Sequence, residues 1–158
     1  MLNINIVCIG KIKEKYLKDA IEEYSKRLSK YCKLNIVEIP DEPIPSNLND
    51  KISENIKNTE GKKILNNIKN TYAISLDLKG KEISSESFAK KIENISLQSS
   101  SITFIIGGSL GLSSEVTSTS NELICFSKMT FPHQLIRVFL LEQLFRAFKI
   151  NNNETYHR

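Results

Sequence analysis

The stretch ITFIIGGSLGL, residues 102–112, joins a short apolar run to a glycine-rich turn. Residues 102–106 are all apolar or β-branched, which is typical of a strand buried on both faces. Gly107 and Gly108 follow at once, and adjacent glycines allow a ligand to approach the backbone closely. The turn lacks the Gly-Lys-Ser/Thr ending of a P-loop and does not match the G-x-G-x-x-G fingerprint of dinucleotide folds. It favours a nucleoside-like ligand without pyrophosphate, although a plain strand-to-helix turn is an equally open reading.

Strands and helices alternate on both sides of this stretch. Further strands are predicted at 3–9, 34–39, 71–78 and 123–126, where apolar and β-branched residues cluster, and Gly80 is expected to turn the chain after the third. Apolar residues at three- and four-residue intervals predict helices at 14–31 and 50–69, although Gly61 weakens the second. Ser84 or Ser85 should cap a helix that carries Phe88, Ile92 and Ile95, and Ser113 or Ser114 a brief one. A long helix should span 132–150, with Pro132 at its first position.

This alternation predicts an α/β fold, with a mainly parallel sheet covered by helices on both faces. The chain has 158 residues, which fits a single domain over 1–158, and 40% hydrophobic and 25% charged residues are usual for a globular protein. A net charge of +4 permits an RNA partner without arguing strongly for one. The three cysteines are scattered and the histidines number two, so we expect free thiols, mostly buried, and no zinc site. No leader and no apolar stretch of about 20 residues is present, which predicts a soluble intracellular protein.

Three segments follow strands in the second half of the chain, at residues 76–80, 107–112 and 126–131. Ligands of open α/β sheets bind beyond the carboxyl ends of the strands, so these segments form the candidate site. The last of them, FSKMTF, offers apolar walls for a flat ring together with the hydroxyls of Ser127 and Thr130. The alternative is that Phe126 and Phe131 simply close the core.

The final predicted helix is apolar almost all round, which suggests that a partner subunit covers part of it. Its Glu142 and Arg146 are four residues apart and could simply form a surface ion pair. His133 is more typical of a cap region than of a ligand site. The lysines near residues 11–15 are either a solvated surface or contacts to RNA phosphate.

Four stretches together carry a family resemblance: VCIGKIKEKY (7–16), LDLKGKEISSESFA (76–89), FIIGGSLGL (104–112) and FSKMTFPHQLIRVFLLEQLFRAFKI (126–150) with the YHR ending. On these motifs the sequence resembles the bacterial large-subunit rRNA pseudouridine N3-methyltransferases of the SPOUT superfamily. The likeness runs over essentially the whole chain. Cys125 departs from the serine expected before Phe126, which puts little in doubt.

The resemblance implies properties that the residue patterns do not show. The fold should contain a deep C-terminal trefoil knot within about residues 71–158, and the protein should be a cytoplasmic homodimer. The methyl donor S-adenosyl-L-methionine should lie in the knot, and no metal is required. The implied donor-binding residues are Leu76, Gly107, Phe126, Ser127, Lys128, Met129, Thr130 and Phe131.

The implied substrate is a pseudouridine of 23S ribosomal RNA, in a stem-loop at the subunit interface of the assembled ribosome. By the same resemblance Arg146, Tyr156 and His157 are the catalytic candidates. Arg146 would stabilise the anion of the attacking N3, and His157 could take its proton because histidine titrates near neutrality. Tyr156 would stack on the base or orient His157. The alternatives are a SPOUT enzyme that acts on a tRNA, a non-catalytic ribosome-binding module and a flavodoxin-like nucleotide binder, which the absence of a phosphate-binding motif disfavours.

Overall fold

The fold of the protein is taken from a computed structural model, which describes residues 1–156. Five strands alternate with five helices, in the order predicted from the sequence. The elements are β1 (Asn3–Ile9), α1 (Lys15–Leu28), β2 (Lys33–Ile39), α2 (Asp50–Leu65), β3 (Tyr72–Glu82), α3 (Ser85–Ser96), β4 (Ser101–Ile106), α4 (Ser114–Thr119), β5 (Glu122–Cys125) and α5 (His133–Asn151).

The five strands form one sheet in the order β2-β1-β4-β3-β5, and every pairing between neighbours is parallel. The glycine-rich stretch therefore follows the central strand, β4, which pairs with β1 on one side and with β3 on the other. The prediction of a parallel α/β sheet is confirmed.

Helices cover both faces of the sheet, as expected. Alternate residues of a strand point to opposite faces, and Ile4 and Ile6 of β1 pack in the larger core with α1, α3 and α5. Val7 and Ile9 belong to the smaller core on the other face, together with residues of α2 and α4. Two apolar layers on one sheet explain why residues 102–106 of the central strand, β4, are all apolar or β-branched.

The third strand differs most from its prediction. It was expected to end at Leu78 with a turn at Gly80, but it continues to Glu82 around an irregularity between Leu76 and Lys81. Both of these residues pair with Ile124 of β5, so residues 77–80 bulge out between them and Leu78 is 61% exposed. A Cβ on Gly80 would lie 2.6 Å from the backbone carbonyl carbon of Ile124, so only glycine allows this close approach.

Helix ends were predicted less well than helix positions. The first helix ends at Leu28 and the second at Leu65, each earlier than expected. Pro132 is the N-cap of α5 and not its first helical residue, because its ψ of 133° is not helical. The hydroxyls of Ser84 and Ser113 cap α3 and α4 by accepting the N–H of Ser87 and of Val116, respectively, which confirms those predictions.

The cysteine prediction is confirmed, because all three thiols are buried and free. Within residues 1–156, no helix is long and apolar enough to cross a membrane. The trefoil knot stays a prediction.

Candidate functional site

A cavity of about 650 Å³ opens at the carboxyl end of β4, at the neighbouring residues 76–79 of β3, where the pairing of β3 with β4 ends, and at the carboxyl end of β5. These strands are neighbours in that order and all run parallel, so the segments that follow them meet at one edge of the sheet. All three candidate segments contribute to the walls. We call this space the first cavity.

The glycine turn forms one wall of the first cavity. A Cβ on Gly107 would lie 3.0 Å from both the carbonyl carbon of Gly111 and Cδ2 of Leu112, so a larger residue would push into the turn. The turn closes on itself through a hydrogen bond of 3.1 Å from the N–H of Gly111 to the carbonyl oxygen of Gly108. Gly111 has a φ of +86°, which favours glycine. These features favour glycine at both positions, so no side chain covers the backbone of Gly107 and Gly111 beside the cavity.

The connector at 126–131 forms the facing wall. The Ser127 hydroxyl accepts the N–H of Met129 at 3.0 Å, which holds the connector in a tight turn. Met129 is 73% exposed and Phe131 36% exposed, so neither closes the core. Phe126 packs partly against the larger core and also lines the cavity. It therefore does both of the things predicted as alternatives, closing the core and forming a wall of the site.

The structure brings together seven of the eight residues expected to bind the donor, all except Lys128. They line the first cavity: Leu76, Gly107, Phe126, Ser127, Met129, Thr130 and Phe131. Lys128 is exposed within the same connector, and its side chain is not part of the wall.

Three charged residues line the first cavity, of which Asp77 and Lys79 lie in a predicted segment and Lys57 was missed from the sequence. Lys57 also forms an ion pair of 2.8 Å with Glu54. His133 lines the first cavity from the start of α5, where burial and the Arg137 charge lower the pKa of its imidazole. His133 is therefore neutral near pH 7. Nothing in the local sequence of α2 indicates that Lys57 reaches a loop more than 45 residues away.

An ion pair between the buried Arg137 and the partly exposed Glu38 was also missed. The Arg137 side chain, 1% exposed, donates to Glu38 Oε2 at 2.7 Å and to the carbonyl oxygen of Gly10 at 3.2 Å. It ties α5 to the ends of β2 and β1, one helical turn beyond His133. The sequence carried a signal for this contact, because Arg137 shares a helical face with the buried Leu140, Leu141 and Leu144.

Two of the three catalytic candidates lie together on one carboxylate. Arg146 Nη2 is 2.6 Å from Glu142 Oε1, the expected pair, and the Tyr156 hydroxyl donates to the same oxygen at 3.2 Å. The Arg146 guanidinium lies 4.8 Å from the centre of the Tyr156 ring. The Glu142 hydrogen bond raises the pKa of Arg146, while burial and the Glu142 charge raise that of Tyr156, so both keep their protons near pH 7. His157 lies outside the described residues.

A second cavity, of about 500 Å³, joins the first cavity to this cluster. The two share Phe126, Ser127 and Phe131 as walls, and the second reaches Glu142 and Gln143 on α5. The second cavity therefore lies between the first cavity and the carboxylate that pairs with Arg146.

The fold and the cavities define an α/β protein with a parallel sheet and a ligand-sized site at the carboxyl ends of three adjacent strands. A solved structure titled a probable methylase family protein from Haemophilus influenzae Rd KW20 has the same fold. It matches with a TM-score of 0.53 at 14% identity, over 96% of this chain and 67% of that one.

The sequence matches the family model described as predicted SPOUT methyltransferase over residues 2–157. The ribosomal RNA large subunit methyltransferase H of Clostridium botulinum (strain Alaska E43 / Type E3) is 62% identical, over 99% of this chain and all of its own length. The protein of the same name from Clostridium perfringens (strain 13 / Type A) is 59% identical over the same shares. The chain belongs to the SPOUT methyltransferase family.

Proposed function

We propose that the protein is an S-adenosylmethionine-dependent methyltransferase of large-subunit ribosomal RNA, and that it methylates N3 of a pseudouridine. The observation that carries this proposal is the first cavity, which lies where three adjacent strands end and has a bare glycine backbone on one side and an aromatic connector on the other. Family membership and the names of relatives about 60% identical over the full length support the same activity.

The residues of the first cavity fit the proposed donor. Its volume of about 650 Å³ lies in the range of small-molecule sites. The apolar side chains of Leu76, Ile106 and Phe126 suit an adenine ring, and the bare turn at Gly107 allows close backbone contact. Asp77 and Lys57 supply opposite charges for the ammonium and carboxylate of the amino-acid part. When bound, the donor supplies an electrophilic methyl group and leaves as a neutral thioether.

The residues of the chain have to bring the acceptor nitrogen into line and manage its proton. The imide N3 must lose a proton before it attacks, and a positioned cation stabilises the resulting anion. Arg146 keeps its charge beside Glu142 and is proposed to supply that cation. His157 is proposed to accept the proton, and Tyr156 to stack on the base or to orient His157. These are proposals carried over from the family resemblance.

We further propose that the protein is a cytoplasmic homodimer that acts on assembled ribosomes. Exposed apolar side chains cluster where α5 begins: Met129, Phe131 and Phe139 are 73%, 36% and 37% exposed. The rings of Phe131 and Phe139 lie 5.5 Å apart, so they form one patch beside both cavities. A second subunit that covered this patch would bring its own residues next to the donor site.

The test is methylation of ribosomes from a strain that lacks this gene, with labelled donor and mapping of the modified base. We expect one labelled pseudouridine, carrying the methyl group on N3, in large-subunit RNA. Label in tRNA would favour the alternative SPOUT activity. Donor binding without any labelled RNA would refute the proposal.

Arg146→Ala provides a sharper test of the assigned roles. We expect methylation to fall by at least roughly a hundredfold, the scale on which removal of one charge-stabilising donor acts. Donor affinity, measured by calorimetry, should stay within about twofold because Arg146 does not line the first cavity. Wild-type turnover in this variant would contradict the role of Arg146.

A further inference from the structure

The second cavity shares a wall with the first. Phe126, Ser127 and Phe131 line both, so ligands in the two cavities would be neighbours. Methyl transfer needs the acceptor atom within about 3.5 Å of the reacting carbon. If the first cavity holds the donor, the second cavity is the adjacent space from which an acceptor base would approach it.

Aromatic side chains dominate the walls of the second cavity. Phe126 and Phe131 line it together with Phe88 and Phe139. Enzymes that act on a nucleobase move it out of its stack and hold it between aromatic or apolar side chains. A volume of about 500 Å³ is large enough for a single nucleoside.

The side-chain amide of Gln143, at the polar edge of the second cavity, has a defined orientation. The Ser85 hydroxyl donates to Gln143 Oε1 at 2.8 Å, and Gln143 Nε2 donates to Glu142 Oε2 at 3.1 Å. An ionised carboxylate only accepts hydrogen bonds, so the amide nitrogen of Gln143 must be the atom that faces Glu142. Within residues 1–156 the second N–H of this nitrogen has no hydrogen-bond acceptor, so it is available to a ligand.

We propose that the second cavity holds the target base and that Gln143 determines which base is accepted. A second N–H from Gln143 matches the C4 carbonyl oxygen of a pyrimidine-2,4-dione such as uracil or pseudouracil, whereas cytosine carries an amino group at that position. This inference rests on the proposed function and assigns the acceptor side of that site. Glu142 contacts both Gln143, which is proposed to recognise the base, and Arg146, which is proposed to be the catalytic cation. One carboxylate therefore positions both side chains.

The first experiment replaces the amide at nearly constant volume, with Gln143→Met. We expect kcat/KM for ribosomes to fall roughly tenfold or more, the discrimination of a good base-edge hydrogen bond. The dissociation constant of the donor, measured by calorimetry, should change less than about twofold. Gln134→Met is the matched control, because Gln134 is on the same helix, donates only weakly to the Lys11 carbonyl at 3.4 Å and lines neither cavity. It should keep wild-type kcat/KM.

The second experiment fills the cavity with Ser85→Phe, and uses Ser96→Phe at the exposed end of the same helix as its control. Ser85→Phe should lose methylation by at least roughly tenfold, because the added ring would occupy the space in which the base stacks on the aromatic walls. Stacking of a base on an aromatic ring contributes on that scale. Donor affinity should again be retained, which also shows that the variant is folded.

The outcomes separate this inference from the proposed function. An active wild type with equally active Gln143→Met and Ser85→Phe variants would overturn the base site while leaving the methyltransferase proposal intact. A parallel loss of donor affinity would also overturn it, because the second cavity would then belong to the donor. A wild type that methylates no RNA refutes the proposed function, and the base site with it.

Discussion

Gly107 lies at the point where β4 ends and the wall of the first cavity begins. The space that a side chain on Gly107 would occupy is already filled, because a Cβ on this residue would lie 3.0 Å from the backbone of Gly111 and from the side chain of Leu112. A larger side chain would therefore push into the turn and displace the backbone that lines the cavity. The identity of this residue therefore controls how closely a ligand approaches the turn.

Gly107→Leu should weaken donor binding by roughly tenfold or more, because overpacking of a well-filled site costs about 1–3 kcal/mol. Calorimetric titration with S-adenosylmethionine measures the change. Ser118→Leu, at an exposed position on α4, is the control and should bind as the wild type does. An unchanged affinity in Gly107→Leu would place the donor elsewhere.

Glu60 is a buried carboxylate behind the glycine turn, only 5% exposed. Its Oε2 accepts the N–H of Glu42 at 3.0 Å, and its Oε1 would lie 3.8 Å from a Cβ on Gly108. Burial raises the pKa of Glu60, and the hydrogen bond from the Glu42 N–H opposes this increase in part. The charges of Asp41 and Glu42 raise the pKa slightly further, and the charge of Lys63 lowers it. The folded protein therefore holds this proton more tightly than the unfolded chain.

The raised pKa predicts a pH dependence of stability. Below the ordinary value of 4.5 the Glu60 contribution is fully present, and it is lost as the pH rises through the folded pKa. Glu60→Gln should remove this component, so the free energy of unfolding of the variant relative to wild type should increase between pH 4 and pH 7. Urea unfolding of both proteins across this range measures the difference. A difference that stays constant with pH would show that Glu60 does not titrate differently on folding.

The contact between α2 and α4 depends on Gly61. A Cβ on Gly61 would lie 2.5 Å from the Ser113 hydroxyl oxygen and 3.2 Å from Val116 Cγ2. Glycine lowers the intrinsic stability of a helix, which made the prediction of α2 uncertain. The packing of α4 compensates for this lower helix stability. Because Gly61 has no side chain, α4 packs closely against α2, and Ser113 lies where it caps α4.

Gly61→Ala should therefore destabilise the protein by about 1–3 kcal/mol through overpacking, although alanine favours helix by itself. Asn58→Ala, at an exposed position one turn earlier in α2, should be neutral or slightly stabilising. Denaturant unfolding compares the two variants. If Gly61→Ala were the more stable, helix propensity would outweigh the packing of α4.

The end of the chain connects the last helix to the proposed catalytic cluster. The Tyr156 ring lies 5.0 Å from the Phe145 ring and beneath the Arg146 guanidinium, and its hydroxyl contacts Glu142. Tyr156 is thus placed by α5, which also carries Gln143 at the second cavity.

Removal of residues 156–158 should abolish most methylation of ribosomes while the affinity for the donor is retained, because Tyr156 does not line the first cavity. Single-turnover methylation and calorimetry give the two quantities separately. Full activity of the shortened protein would exclude Tyr156 and His157 from the reaction. A loss of donor affinity would instead indicate that these residues support the donor site.

Much of the molecule follows from local patterns. The order of strands and helices, the two caps at Ser84 and Ser113 and the three segments beside the cavity were all predictable, because periodicity and turn chemistry act over a few residues. Helix ends were less accurate, since the last residues of a helix depend on what they pack against. The third strand was wrongly expected to end at Leu78, because its continuation to Glu82 depends on its irregular pairing with β5.

The amino-acid sequence by itself determined the kind of protein, a parallel α/β fold with a family motif running along the chain. Only the tertiary structure decided which distant residues meet. Arg137 reaches Glu38 across 99 positions, and Lys57 reaches the first cavity from another helix. The strand order places β3 between β4 and β5. Local propensity is a property of neighbours along the chain, whereas these contacts depend on how the whole chain packs its two apolar layers on one sheet.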